Sequence, residues 1–252
     1  SSRVSGSGTL GNRWLADFTD SRLVQEGGSD VAWIVDAASK RVFTLNLGTY
    51  TSPGDSTLTL QHDAGNSQFI LTNWRTGDVH IFHNFSSSYP GKLKQKTTLE
   101  WRASGQDGSV YSYDGSQKLT QVTSPDGQDY NFVFSYTGSK ITKIEMRTGA
   151  DTATRVRQVE YTYFDSQAHS ANLGADGDLV QVKTSALKTG GSVGTAGDWT
   201  VCYEQYRYGN GLLKSVFAPD AVARLIADRA DISTADDILA KGDDDDNNGA
   251  AS

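Results

Sequence analysis

The sequence predicts an all-β fold: consecutive antiparallel β-hairpins along most of the chain, followed by short C-terminal helices. Three observations carry this. Apolar residues alternate with polar ones at period two in one short run after another, as far as Val216. The 26 glycines suit many tight turns between those runs. Nothing of helical period lies between them, which makes βαβ topology a poor fit.

Taken in order, Val31, Trp33 and Val35 alternate, Lys40-Arg41 reads as a turn, and Phe43, Leu45 and Leu47 alternate again. Leu58 with Leu60, Phe69 with Leu71, and Val79 with Ile81 follow, joined by "HDAGN" and "RTGD" turns. Leu99 with Trp101 and Tyr111 with Tyr113 continue the pattern. Tyr130, Phe132, Phe134 and Tyr136 fall on one side of a strand that turns through Thr137-Gly138-Ser139. Val159, Tyr161 and Tyr163 make another strand, and Trp199, Val201 and Tyr203 the next. Trp33, Trp101 and Trp199 lie beside aliphatic residues in such runs, so burial is expected for them. From Pro219 the period changes: Val222, Leu225 and Ile226 take helical spacing. A second short helix is expected between Ser233, which forms a capping box with Asp236, and Gly242, with Ile238 and Leu239 as its apolar side.

The 252 residues can bury a substantial core, and the net charge of −7 argues against nucleic acid or anionic membranes as partners. Cys202 is the only cysteine, so an internal disulfide is excluded, and its simplest place is in the core. No apolar run approaches the ~20 residues that span a bilayer. The opening "SSRVSGSGTLGNRW" has neither Met nor a signal-like segment, and with the polar ending "KGDDDDNNGAAS" it leads to the expectation of a piece of a longer protein.

A degenerate repeat runs through the strands. "YDGSQKLTQV", "YTGSKITKI", "GDLVQV" and "GLLKSV" share a glycine, an aliphatic residue, two spacers and a second aliphatic residue. Four regions follow: a β-rich lead-in over 1–105, hairpin repeats over 106–217, a helical segment over 218–242 and an acidic tail over 243–252. "GSVYSYDGSQKLTQVTSPDGQDYNFVFSY" resembles an Rhs or YD repeat. Tyr113-Asp114, Leu119, Val122 and Asp126-Gly127 follow the family's order, and Tyr136-Thr137, Tyr163-Phe164-Asp165 and Tyr208-Gly209 are degraded counterparts. The lead-in is similar to the β-rich segment before such repeats, and "YRYGNGLLKSVFAPDAVARLIAD" resembles inserts in very large repeat proteins of planctomycete-like bacteria.

The resemblance implies a strip of hairpins coiled into a shell-like sheet, in an extracellular or cell-surface protein whose other repeats are its partners. It implies a packed seam of Tyr113, Leu119, Val122, Tyr130, Phe132, Phe134, Tyr136, Ile141 and Ile144, with the Tyr130 to Tyr136 row mostly buried.

Motifs for chemistry are sparse. Gly190, Ser192 and Gly194 satisfy G-x-S-x-G without the strand-to-helix turn a nucleophile elbow needs. Gly6, Gly8 and Gly11 satisfy G-x-G-x-x-G with no strand before them. His80 and His83, three apart on a strand, point to opposite faces and cannot share one metal ion. Asp107, Asp126 and Glu145 have solvent-facing positions as their ordinary explanation, and nothing pairs them as a hydrolase would require. The candidate metal site is the tail: Asp244, Asp246, Asn248 and Gly249 fit the first half of a calcium loop, against the plainer reading of a solvated acidic linker. The function expected is a noncatalytic structural module without a cofactor. The alternative is a carbohydrate-binding module that meets cell-surface glycans through Trp14 and Trp74, the tryptophans nearest turns.

Overall fold

The computed structural model describes residues 7–12, 21–35, 39–52, 54, 57–103, 108–124, 130–148, 154–164, 174–209, 212–229 and 233–234. β1 (Ser7–Gly8) and β2 (Gly11–Asn12) form a small hairpin. The remaining strands are β3 (Arg22–Gln25), β4 (Val31–Ile34), β5 (Lys40–Asn46), β6 (Thr49–Thr51), β7 (Leu58–Asp63), β8 (Gln68–Asn73), β9 (Val79–His83) and β10 (Leu93–Thr97). After α1 (Leu99–Ala103) come β11 (Ser109–Tyr113), β12 (Leu119–Thr123), β13 (Asn131–Thr137), β14 (Lys140–Thr148), β15 (Thr154–Tyr163), β16 (Leu179–Leu187), β17 (Trp199–Gly209), β18 (Leu212–Phe217) and α2 (Pro219–Asp228). Strands β3 to β18 make one 16-stranded sheet in which each pairs antiparallel with its sequence neighbours, so the fold is a run of consecutive hairpins. The sheet is continuous past residue 105, where the lead-in was expected to end.

Period-two alternation fills one face with apolar side chains, and a twisted sheet of this length must curl to cover them. The first curl encloses Leu23, Val31, Phe43, Leu58, Leu60, Phe69, Leu71, Phe82 and Leu93. Its edge is fastened but not closed: the Leu23 N–H donates to Gly91 O at 2.8 Å, and Arg22 makes a single bridge to Lys92. Gly91 has φ +65, and a Cβ there would lie 2.1 Å from the Leu23 carbonyl oxygen, so only glycine admits the contact. Two further clusters follow, around Leu119, Phe134 and Ile141 and around Phe164, Leu179, Val180, Tyr206 and Tyr208. The β1–β2 turn is tied to the first of these, because Thr9 O accepts from the Ile141 N–H at 2.7 Å and Leu10 packs beside it. Helix α2 starts at Pro219, whose fixed φ and missing N–H suit a first helical turn, and lays Val222 against Tyr203 and Phe217.

Several expectations are corrected. Lys40 and Arg41 open β5 opposite Ile34 and Trp33; both side chains are exposed, one on each side of the strand end, and the reversal precedes them, with the Val35 N–H donating to Ser39 O. Leu99 and Trp101 lie in α1, not in a strand. Two alternating residues were too short a run to fix a period, and the turn is held by Arg102, whose N–H bonds Thr98 O and whose guanidinium bonds Gly77 O. Cys202 is exposed: its row, Ile144, Val159, Thr184, Cys202, ends in small residues, and no apolar cluster among the described residues includes Thr184 or Cys202. The second C-terminal helix falls almost wholly outside the described residues.

Candidate functional site

The recurring structural element is a bulged hairpin. In β9–β10, β11–β12, β13–β14, β15–β16 and β17–β18 the register shifts at one equivalent place, where Lys94, Thr120, Thr142, Val180 or Lys214 is the residue left without a partner across the ladder. An aromatic residue closes each hairpin opposite an aliphatic one: Phe82 with Leu93, Tyr113 with Leu119, Tyr136 with Ile141, Tyr163 with Leu179, and Tyr208 with Leu213. In the last four hairpins a second such pair lies two residues back on the aromatic strand: Tyr111 with Val122, Phe134 with Ile144, Tyr161 with Val182, and Tyr206 with Val216. Aliphatic residues three apart therefore share a face, because the bulge adds one residue to the usual two.

Two of these tyrosines also tie their hairpin to the one before. The Tyr113 hydroxyl donates to Leu93 O at 2.8 Å, and the Tyr163 hydroxyl donates to Ile141 O at 2.6 Å. The lysine preceding the aliphatic residue covers the ring of the following tyrosine: Lys92 over Tyr113 at 6.0 Å, Lys118 over Tyr136 at 5.6 Å and Lys140 over Tyr163 at 5.3 Å. Burial pushes the Tyr113 and Tyr163 hydroxyls well above their usual pKa, so they remain protonated donors. Tyr163→Phe is expected to lower stability by about 1 kcal/mol in urea titration, the net worth of one hydrogen bond. An unchanged midpoint would show the hydroxyl adds nothing to the seam.

The opposite face is polar and largely half-buried. Glu145 sits in a row that runs Gln121, Val133, Glu145, Gln158, Ser185. Its carboxylate takes Lys143 Nζ at 3.0 Å, Arg147 at 2.5 Å and Arg155 at 3.3 Å, and the Arg155 guanidinium lies 4.8 Å from the Trp199 ring centre. Beside it Glu160 accepts from Gln158 and from Lys183, each at 3.0 Å. Further along, the buried Gln205 donates to Gln181 at 3.0 Å and accepts from Arg207 at 3.3 Å. Glu145 thus departs from the solvent-facing expectation: the three cations around it let a carboxylate be buried. Burial alone would raise its pKa, but the hydrogen bonds and charges of Arg147 and Lys143 prevail and hold it at about 2. Such a group stays ionised at neutral pH and neutralises charge; it is not poised to take up a proton.

The predicted site residues divide. Phe134, Leu119 and Ile141 are buried, and Tyr113, Val122, Tyr136 and Ile144 pack against them. Tyr130 and Phe132 depart from the expected buried row, at 43% and 38% exposed, because the row runs past the seam and the ladder partners of Phe132 there, Val122 and Met146, do not cover it. His80 and His83 are separate: His80 packs against Trp33, with ring centres 5.6 Å apart, and His83 against Tyr89. Burial lowers the His80 pKa to about 4, with the Lys96 charge adding to the effect, which leaves it neutral at neutral pH. Trp33 and Trp199 are half-buried. Trp74 is 69% exposed, its indole N–H donating to Thr59 Oγ1 at 3.1 Å. Trp14, Asp107, Asp126, Asp244, Asp246 and Asn248 lie outside the described residues, as does the Trp101 side chain. A groove of about 540 Å³ lies elsewhere, between the Gly138 turn and Tyr161, Tyr163 and Asp176.

Among the described residues no helix is long and apolar enough to cross a membrane, and no three His, Cys, Asp or Glu side chains cluster as metal ligands would. No family model matches the chain, and no curated protein is found to resemble it.

Proposed function

We propose that the chain is a noncatalytic structural module of the Rhs/YD type, a stretch of β-hairpin wall in a large bacterial cell-surface or secreted protein, where it serves encapsulation or adhesion. The observation that supports this reading is the recurrence of one bulged, tyrosine-closed hairpin within a single uninterrupted sheet. In such an array each hairpin contacts only its neighbours, so stability is a sum of hairpin and interface terms. Duplicating residues 124–148 in tandem tests it. The second copy of Tyr136 would meet Ile141 as Tyr163 now does, so the longer chain is expected to fold, with a larger sheet by small-angle scattering and an undiminished unfolding midpoint. Aggregation or loss of cooperative unfolding would count against a wall of interchangeable hairpins.

Trp74 favours a second reading, a carbohydrate-binding module, because an exposed indole fixed by a hydrogen bond can stack on a sugar ring. On a glycan array that reading expects binding that Trp74→Ala abolishes, with Trp14→Ala as the companion variant. A blank array leaves the structural reading alone.

A further inference from the structure

The last strand breaks the rule set by the others. Leu93, Leu119, Ile141 and Leu179 are all buried, and each lies on a strand whose other edge is taken by the next strand in sequence. Leu213 is their counterpart on β18, opposite Tyr208, yet it is 47% exposed, and Leu212 and Val216 beside it are 68% and 51% exposed. Among the described residues no strand pairs with the outer edge of β18. Helix α2 covers the face that carries Phe217 and leaves the Leu213–Val216 row open.

We infer that the outer edge of β18 is a strand-addition site for a tyrosine-bearing hairpin of the same design, presented by a neighbouring repeat of the parent protein. This rests on the structural reading above. The incoming strand would run antiparallel, set an apolar residue opposite Val216 as Val159 stands opposite Ile144, and place a tyrosine over Leu213 with its hydroxyl on the Leu213 carbonyl, as Tyr163 does at Ile141. A second copy of this chain is the poorer occupant. Its β3 edge is already bonded to residues 91 and 92, and pairing β18 with itself sets two Lys214 side chains near the dyad and supplies no tyrosine.

The probe is a capped peptide of residues 155–164, RVRQVEYTYF, the strand that fills the equivalent place on β14. Titrated into the intact chain by fluorescence anisotropy, it is expected to bind, with affinity reduced about tenfold or more by Leu213→Asp in the protein or Tyr163→Ala in the peptide. Leu213 is exposed, so the variant chain should keep its fold, and the peptide variant gives the same answer without touching the protein. Equal binding by all forms, or none at ~1 mM peptide, overturns the inference. Sedimentation showing a dimer of the chain alone that Leu213→Asp dissociates overturns it too, by assigning the edge to a second copy. The hairpin-duplication experiment is unaffected by either result, so a failure here is distinguishable from a failure of the structural reading.

Discussion

Replacing Glu145 with alanine is expected to destabilise the fold by about 2–3 kcal/mol, since removing the buried carboxylate strands three cations that solvent only partly screens. Lys143, Arg147 and Arg155 would face one another without their shared carboxylate, on two adjacent strands. Urea titration of wild type and variant measures this directly. The pH dependence carries a second signature. The folded pKa of about 2 lies below the ordinary carboxyl value of 4.5, so the unfolded chain binds the proton more readily. The stabilisation is therefore complete above about pH 4.5 and is lost progressively as the pH falls towards 2. Allowing for partners that are about a third exposed, the contribution is roughly 2 kcal/mol. Stability curves of wild type and Glu145→Gln should converge in that acid window; parallel curves would mean the cluster is screened by solvent and does not hold β14 to β15.

Gly91→Ala is the second large effect, expected to cost about 3 kcal/mol or more, since it combines an unfavourable positive φ with a collision against backbone. The methyl would meet the Leu23 carbonyl oxygen, which cannot move without breaking the fastening of β3 to residues 91 and 92. Gly138→Ala is the control: φ is +58, but nothing lies within 4 Å of a Cβ there, so only the backbone strain of about 1 kcal/mol remains. Thermal unfolding of both variants separates collision from strain. Equal losses would show that the fastening is loose enough to give way.

Sheet architecture was legible because alternation is a local signal: Leu58 and Leu60, or Phe69 and Leu71, declare strand and face within a few residues. The aliphatic half of the repeat was legible too, but its spacing of three could not be reconciled with a strand period of two until the bulge at Thr120 and its equivalents explained it. The aromatic half, Tyr111-x-Tyr113 through Tyr206-x-Tyr208, is as plain in the sequence. Each such pair sits at strand period two just ahead of a turn, so it marks the strand end that closes the hairpin. Glu145 was not legible: Arg147 is near in sequence, but Arg155 comes from the next strand, and only register brings it there. Nor was exposure at Phe132, since alternation assigns a face and says nothing of what covers it.

The bulge also bears on how such a chain can change over generations. Each one resets side-chain phase by a single residue, so deleting Thr142 alone would leave Ile141, Lys143 and Ile144 in plain alternation against Tyr136, Ser135 and Phe134, with Ile144 still in the apolar row and Glu145 in the charged one. Loss or gain of an entire hairpin keeps every face in place. Recombination between whole hairpins, and a single-codon deletion at a bulge, should therefore be tolerated where a deletion elsewhere in a strand, which turns over the residues beyond it, is not.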